Sequence, residues 1–238
     1  MCIALKALKQ AVRWGLVLRN VADDVDPPKV HKKEVRPLSN EQARKLLDTA
    51  QGDRLEALYV VAVQSGLRQG ELLALRWEDV DLEARTLQVR RTLTRNGGKL
   101  AVGPTKTSKG RCTVKLTQDA TEALRRHLER QLVEIDEASN SWQENGLVFC
   151  TCKGTLINPT NLRRRFLAPL LQRAGLPPMT FHQLRHTAAT ILLLKNVNPK
   201  VVSEMLGHAS IAITLDTYSH VLPNMQQSAV AAMEEAFS

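Results

Sequence analysis

The chain has 238 residues, 43% hydrophobic and 24% charged, with twelve glycines and ten prolines. That is bulk for one sizeable core or two small ones, and it excludes collagen, coiled coil and wholesale disorder. Lys and Arg number 33 against 24 Asp and Glu, a formal charge of +9 that favours a polyanionic partner such as nucleic acid, although many basic proteins bind nothing anionic. No run of eighteen apolar residues exists, and Lys6, Lys9 and Arg13 lie inside the first apolar pattern rather than before it. Neither a membrane span nor a signal peptide is read there, and a cytoplasmic location is the expectation. The four cysteines form no disulfide framework, and Cys150 and Cys152 lack a second pair or a nearby histidine at metal-ligand spacing, so all four read as structural thiols.

Along the chain, Ile3, Leu5, Leu8, Val12 and Leu16 recur at helical spacing over residues 3 to 18. The stretch NVADDVDPPKVHKKEVRP then breaks every periodicity and reads as a linker. A lone helix cannot bury its own stripe, so this one must dock on the rest, pair with another chain or be the tail of a preceding domain. Ser39 with Gln42 forms a capping box for a helix that Gly52 stops. DRLEALYVVAVQSG is apolar nearly all round, which places Tyr59 in a core; Gly66 ends it and GELLALRW resumes a helix at once. Between residues 86 and 116 the period changes to two, with Leu87, Val89 and Leu93, a turn at Asn96-Gly97, and Cys112, Val114 and Leu116, implying a small antiparallel sheet of three strands.

Everything afterwards is helical in pattern. Ala120, Leu124, Leu128 and Leu132 share a face; Asn158 and Pro159 open a helix that Gly175 closes and Pro169 should kink. Thr180 and Gln183 form a second capping box, Asn198 and Pro199 open another helix, and Gly207 ends that one and turns the chain at His208. A β-branched helix carries Tyr218. Residues 225 to 237 expose Val230, Met233 and Phe237 and are expected to swing away onto a partner.

Arg68, Lys106, His182, Arg185, His208 and Tyr218 are each unremarkable alone: a helix-end cation, a turn lysine, a polar helix terminus. In order, however, SGLRQGELLALRWEDVD, PTKTSKGRCTV, FHQLRHTAAT and MLGHASIAITLDTYSHV closely resemble the successive catalytic boxes of the tyrosine recombinases, the phage integrase family. The resemblance covers residues 36–238 as the family's catalytic domain, while residues 1–35 resemble only the last helix and linker of its core-binding domain, with residues 225–238 as a C-terminal helix exchanged between protomers. It implies an α+β, mainly α-helical domain with a small three-stranded antiparallel sheet, the fold of DNA breaking-rejoining enzymes. It also implies site-specific cleavage and rejoining of double-stranded DNA through a 3′-phosphotyrosine, for integration or excision of mobile DNA, by a bacterial or phage-encoded protein that meets the nucleoid when acting. A homotetramer on DNA joined through the C-terminal helix is expected, with a monomer or weak oligomer without DNA, and neither cofactor, metal nor membrane.

The chemistry is intelligible without the name. A metal-free attack on a phosphodiester needs fixed positive charge on the nonbridging oxygens, and planar guanidiniums present forks for it. By resemblance Arg68 and Arg185 fill that role, Tyr218 is the nucleophile, His182 accepts or shares its proton and His208 bonds a nonbridging oxygen. Lys106 is then the general acid for the 5′ oxygen, with Lys109 its rival, and Glu71 supports Arg68. Tyr218 is also reached by exclusion, since the chain has two tyrosines and Tyr59 belongs to a core. Arg163, Arg164 and Arg165 are candidate DNA-backbone contacts, of which at most two can reach one strand. Gln183 stands where the family usually has an acid, and Cys112 where a basic or small polar residue is common. A type IB topoisomerase-like activity, or a DNA-binding remnant without full recombination, are the alternatives.

Overall fold

The computed structural model describes residues 3–25, 36–105, 112–208, 210–218, 230 and 233–237. The chain divides into two compact units, residues 1–34 and 35–238. In the first, helix α1 (Ile3–Arg13) buries none of its residues and ends earlier than its apolar spacing predicts, because Gly15 takes a positive φ. A 3-10 turn, Val21–Asp24, follows, capped by the Asn20 side chain.

The second unit opens with α2 (Asn40–Ala50). Its capping box forms as read: Ser39 Oγ accepts from the Gln42 N–H at 3.2 Å, and Gln42 Oε1 accepts from the Ser39 N–H at 3.0 Å. Helix α3 (Glu56–Ser65), apolar on every face, runs through the core against α2, α5 (Gln118–Ala138) and α8 (Phe181–Leu194). Tyr59 on it is 1% exposed. Each large side chain so buried stabilises the fold by about 1.5–3 kcal/mol relative to exposure. Gly66 closes α3 in the left-handed conformation, φ +66°.

GELLALRW departs from the expected helix. Only α4 (Gln69–Leu72) forms, and the chain then passes through buried Leu73, Ala74 and Leu75 into an isolated bridge between Arg76 and Leu147. Among the described residues, the alternating segment together with the two residues Val80–Asp81 before it makes five strands in two sheets. β1 (Val80–Asp81), β2 (Thr86–Val89) and β5 (Cys112–Lys115) form the three-stranded antiparallel sheet, and β3 (Arg91–Asn96) with β4 (Lys99–Pro104) forms a separate hairpin whose turn falls at Gly97-Gly98. Alternation fixes which residues face inward but not which strand pairs with which.

The region after α5 is not wholly helical either. Residues 142–157 form neither helix nor strand apart from isolated bridges, one of them between Cys150 and Leu156, and carry buried Val148, Phe149 and Cys150. Asn158 caps the helix that follows: α6 (Pro159–Asn161), a π-helical turn at Leu162–Leu167 and α7 (Ala168–Arg173) run on without a break. Instead of a simple kink, Pro169 is preceded by that wider turn, in which the carbonyl that the proline ring would strike is accommodated. α8 begins at a second capping box, Gln183 Oε1 accepting from the Thr180 N–H at 2.7 Å. α9 (Pro199–Met205) and α10 (Ile211–Tyr218) complete the described core. Ala189, Leu193, Val202, Leu206 and Tyr218 form a satellite apolar cluster joining α8, α9 and α10. No helix among the described residues is long and apolar enough to cross a membrane.

Candidate active site

The site lies where four helix ends meet. Arg68 is the N-cap of α4, and Glu71 clasps it twice: Oε2 accepts from the Arg68 backbone N–H and Oε1 from Nη1, both at 2.8 Å. The other guanidinium arm, Nη2, donates to Gly207 O at 3.0 Å, linking α4 to the turn between α9 and α10. Glu71 is buried, while the Arg68 side chain remains 41% exposed. Both Nη groups are therefore held, while the side chain as a whole stays partly open to solvent.

Arg185 is 3% exposed. Its Nη1 donates to Gly66 O at 2.8 Å and Nη2 to Leu206 O at 2.5 Å. Gly66 and Leu206 are the C-cap residues of α3 and α9, so the guanidinium sits on the carbonyls that two helices leave without partners, at the negative ends of both dipoles. This is how the fold tolerates a buried cation. Burial first, and then Arg68, lower its pKa to about 10, which leaves it charged at neutral pH.

Three imidazoles adjoin the arginines. His182, exposed at the start of α8, meets His186 edge to face with ring centroids 4.8 Å apart. Gly207, φ +62°, ends α9 with the Gly207 N–H bonded to Glu204 O at 2.9 Å and the His208 N–H to Ser203 O at 3.0 Å, the paired closure of a left-handed helix end. That closure points His208 at α10, where its Nδ1 shares a 2.8 Å hydrogen bond with Oγ1 of the fully buried Thr214. Burial, Arg185 and Arg68 push His208 down to about 4, and burial, His182 and Arg185 do the same to His186. His182 is lowered too, by burial and then the two arginines. All three rings thus favour the neutral form near pH 7, so that among the described residues of the site the positive charge rests on the two guanidiniums.

Tyr218 ends α10 with its ring in the satellite cluster and 2% exposure. Burial raises the phenol to about 12, opposed by Arg185. The ring nitrogen at the hydroxyl is His186 Nδ1, 2.8 Å away, where the sequence put His182. His186 was not singled out from the sequence, although four residues after His182 it shares a helix face with it, and that spacing was the available signal.

Lys106 and Lys109 lie outside the described residues. Cys112, which begins the strand after them, is within electrostatic reach of Glu71, Arg68 and Arg185, and burial pushes its thiol up. Arg163, Arg164 and Arg165 are all exposed on the π-helical turn, and the first two line a groove with Met179, Thr180 and Gln183 at the start of α8. Gln183 keeps the cap of α8 and adds a donation the usual acid cannot make, from Nε2 to Arg36 O at 3.4 Å.

A mainly helical domain with a small antiparallel sheet, gathering two arginines, three imidazoles and a tyrosine from separate elements, has the architecture of a tyrosine recombinase catalytic domain. Residues 36–225 match the phage integrase family, and the chain belongs to that family. It is 36% identical over 223 residues to a XerC-like tyrosine recombinase of Caldanaerobacter subterraneus subsp. tengcongensis, covering 89% of this chain and 57% of that one. It is 30% identical to an integrase of Streptomyces ambofaciens, covering 98% of this chain and 61% of the relative. The chain thus spans about three fifths of the length of these relatives. Among solved structures, the Tn1549 transposon integrase in complex with circular intermediate DNA superposes with a TM-score of 0.71 at 25% identity, over 98% of this chain and 76% of that one. The XerA recombinase gives 0.65, also at 25% identity, over 94% and 73%.

Proposed function

We propose that the chain carries the catalytic centre of a site-specific DNA recombinase, which cleaves and rejoins duplex DNA through a covalent bond between Tyr218 and a 3′ phosphate. The observation that carries this reading is the convergence of Arg68, Arg185, His182, His208 and Tyr218, from four separate elements, on one place. Arg68 and Arg185 neutralise the nonbridging oxygens as negative charge builds on them. His208, its Nδ1 engaged by Thr214, offers its other nitrogen to the phosphate. The phenol oxygen bonds to phosphorus, the bond from phosphorus to the 5′ oxygen breaks, and the bond energy is kept for rejoining.

With its pKa near 12, the phenol would cost about 7 kcal/mol to ionise beforehand at pH 7, at about 1.4 kcal/mol per unit. Loss of its proton is therefore concerted with attack, and His182 at the start of α8 accepts or shares it. Lys106 supplies the proton for the 5′ oxygen, and Glu71 holds Arg68. Arg163 and Arg164, at the groove beside α8, follow the DNA backbone. Residues 1–35 are the end of a preceding core-binding domain, and the exposed Val230, Met233 and Phe237 belong to a C-terminal helix through which four protomers assemble on DNA.

The test is the covalent adduct. Mixed with nicked duplexes made from the sequences flanking its own coding frame, the chain gives a protein–DNA species that survives SDS without added magnesium, and Tyr218→Phe abolishes it. An adduct formed by the Phe variant would sink the assignment of the nucleophile.

A further inference from the structure

The hydroxyl of Tyr218 makes one hydrogen bond among the described residues, to His186 Nδ1 at 2.8 Å, and its direction can be worked out. Neutral imidazole has one N–H and one lone pair. His186 is half-buried one residue after Arg185 and four after His182, so protonating it would set a further cation beside a buried guanidinium. The phenol, buried against Leu193, Val202 and Leu206, keeps its hydrogen at neutral pH. If Nδ1 donated to the phenol oxygen, the phenolic hydrogen would need another acceptor, and the described residues place none there. The arrangement that satisfies both groups has the phenol donating to Nδ1 and the imidazole hydrogen on Nε2.

We propose that His186 is a positioning residue for the Tyr218 nucleophile: its Nδ1 takes the phenolic hydrogen, fixes the torsion of the hydroxyl and leaves the oxygen's lone pairs free for the phosphorus. This rests on the recombinase reading given above. The apolar cluster fixes where the ring lies but cannot orient an O–H, and a hydroxyl rotating freely would present its hydrogen to the phosphate as often as a lone pair. His186 is set to do this by its register. Arg185 turns towards the ends of α3 and α9, and the next residue on the helix, rotated about 100°, faces α10.

Two variants separate the acceptor from the ring. His186→Asn keeps a side-chain oxygen near the place of Nδ1 but loses volume, whereas His186→Phe keeps the ring and loses the acceptor. In single-turnover adduct formation on the nicked duplex, the Asn variant is expected within about 5-fold of wild type and the Phe variant slowed about 30-fold or more, both with unchanged DNA affinity, as a lost orientation lowers the chemical step alone. In the full chain without DNA, the ¹⁵N resonance of His186 Nδ1 is expected to move on Tyr218→Phe.

A Phe variant as fast as the Asn variant, or an Nδ1 resonance indifferent to Tyr218→Phe, overturns the proposal and leaves the recombinase reading standing. A purely structural role predicts the opposite ranking, Phe faster than Asn, and overturns it equally. No adduct from the wild-type chain overturns both.

Discussion

Replacing Arg185 by lysine retains a basic side chain while removing the fork that reaches Gly66 O and Leu206 O together. An ammonium is a compact donor and cannot span two carbonyls held on separate helix ends. One carbonyl is left buried without a partner, at a cost of about 1–3 kcal/mol. For a domain of this size each kcal/mol lowers the melting temperature by about 2–4 °C, so the variant should melt about 2–12 °C below wild type. The same ammonium, desolvated beside Arg68, is pushed toward its neutral form, and a site built on two fixed cations loses much of one. Removing a single preorganised donor of this kind slows an acyl or phosphoryl transfer about 100- to 1000-fold, so adduct formation should fall on that scale while DNA binding changes far less. Scanning calorimetry and single-turnover cleavage on the nicked duplex read the two effects separately. A lysine variant that melts with the wild type and cleaves as fast would refute the two-carbonyl argument and the catalytic role together; equal losses in binding and cleavage would mark Arg185 as a docking residue.

Three further outcomes follow from the same geometry. His186 and His208 are depressed to about 4 in the folded chain against about 6.5 when unfolded. Their contribution is therefore whole above pH 6.5 and is lost as pH falls from 6.5 through 4; after discounting for partial exposure it amounts to about 1–2 kcal/mol each. A urea midpoint that is the same at pH 7 and pH 5 would contradict this. At Gly66 an added Cβ would lie 2.5 Å from Leu206 Cδ2 at φ +66°, so Gly66→Ala should lose about 2–4 kcal/mol in chemical denaturation through left-handed strain and overpacking; a loss under 1 kcal/mol would show that the turn relaxes freely. Thr214→Val leaves the His208 Nδ1 without its hydroxyl partner and should cost about 1–2 kcal/mol of stability and slow adduct formation about 10-fold, whereas unchanged cleavage would mean that His208 needs no second contact.

Much of this protein was written in local rules. The capping boxes at Ser39 and Thr180, the left-handed stops at Gly66 and Gly207, and the all-apolar α3 each depend on residues three or four apart, where backbone hydrogen bonding and helical periodicity decide the outcome. The four spaced boxes carried the family, and the two-tyrosine composition singled out Tyr218. The tertiary structure decided what depends on distant partners. It split the strands between two sheets, because alternation marks an inward face and not a neighbour. It set the Arg185 guanidinium on carbonyls 119 and 21 residues away, and it placed His186 rather than His182 at a phenol 32 residues along the chain. The register of α8 against α10 is fixed by the packing of Ala189, Leu193, Val202 and Leu206, and no spacing within one helix states which side of its neighbour it will meet.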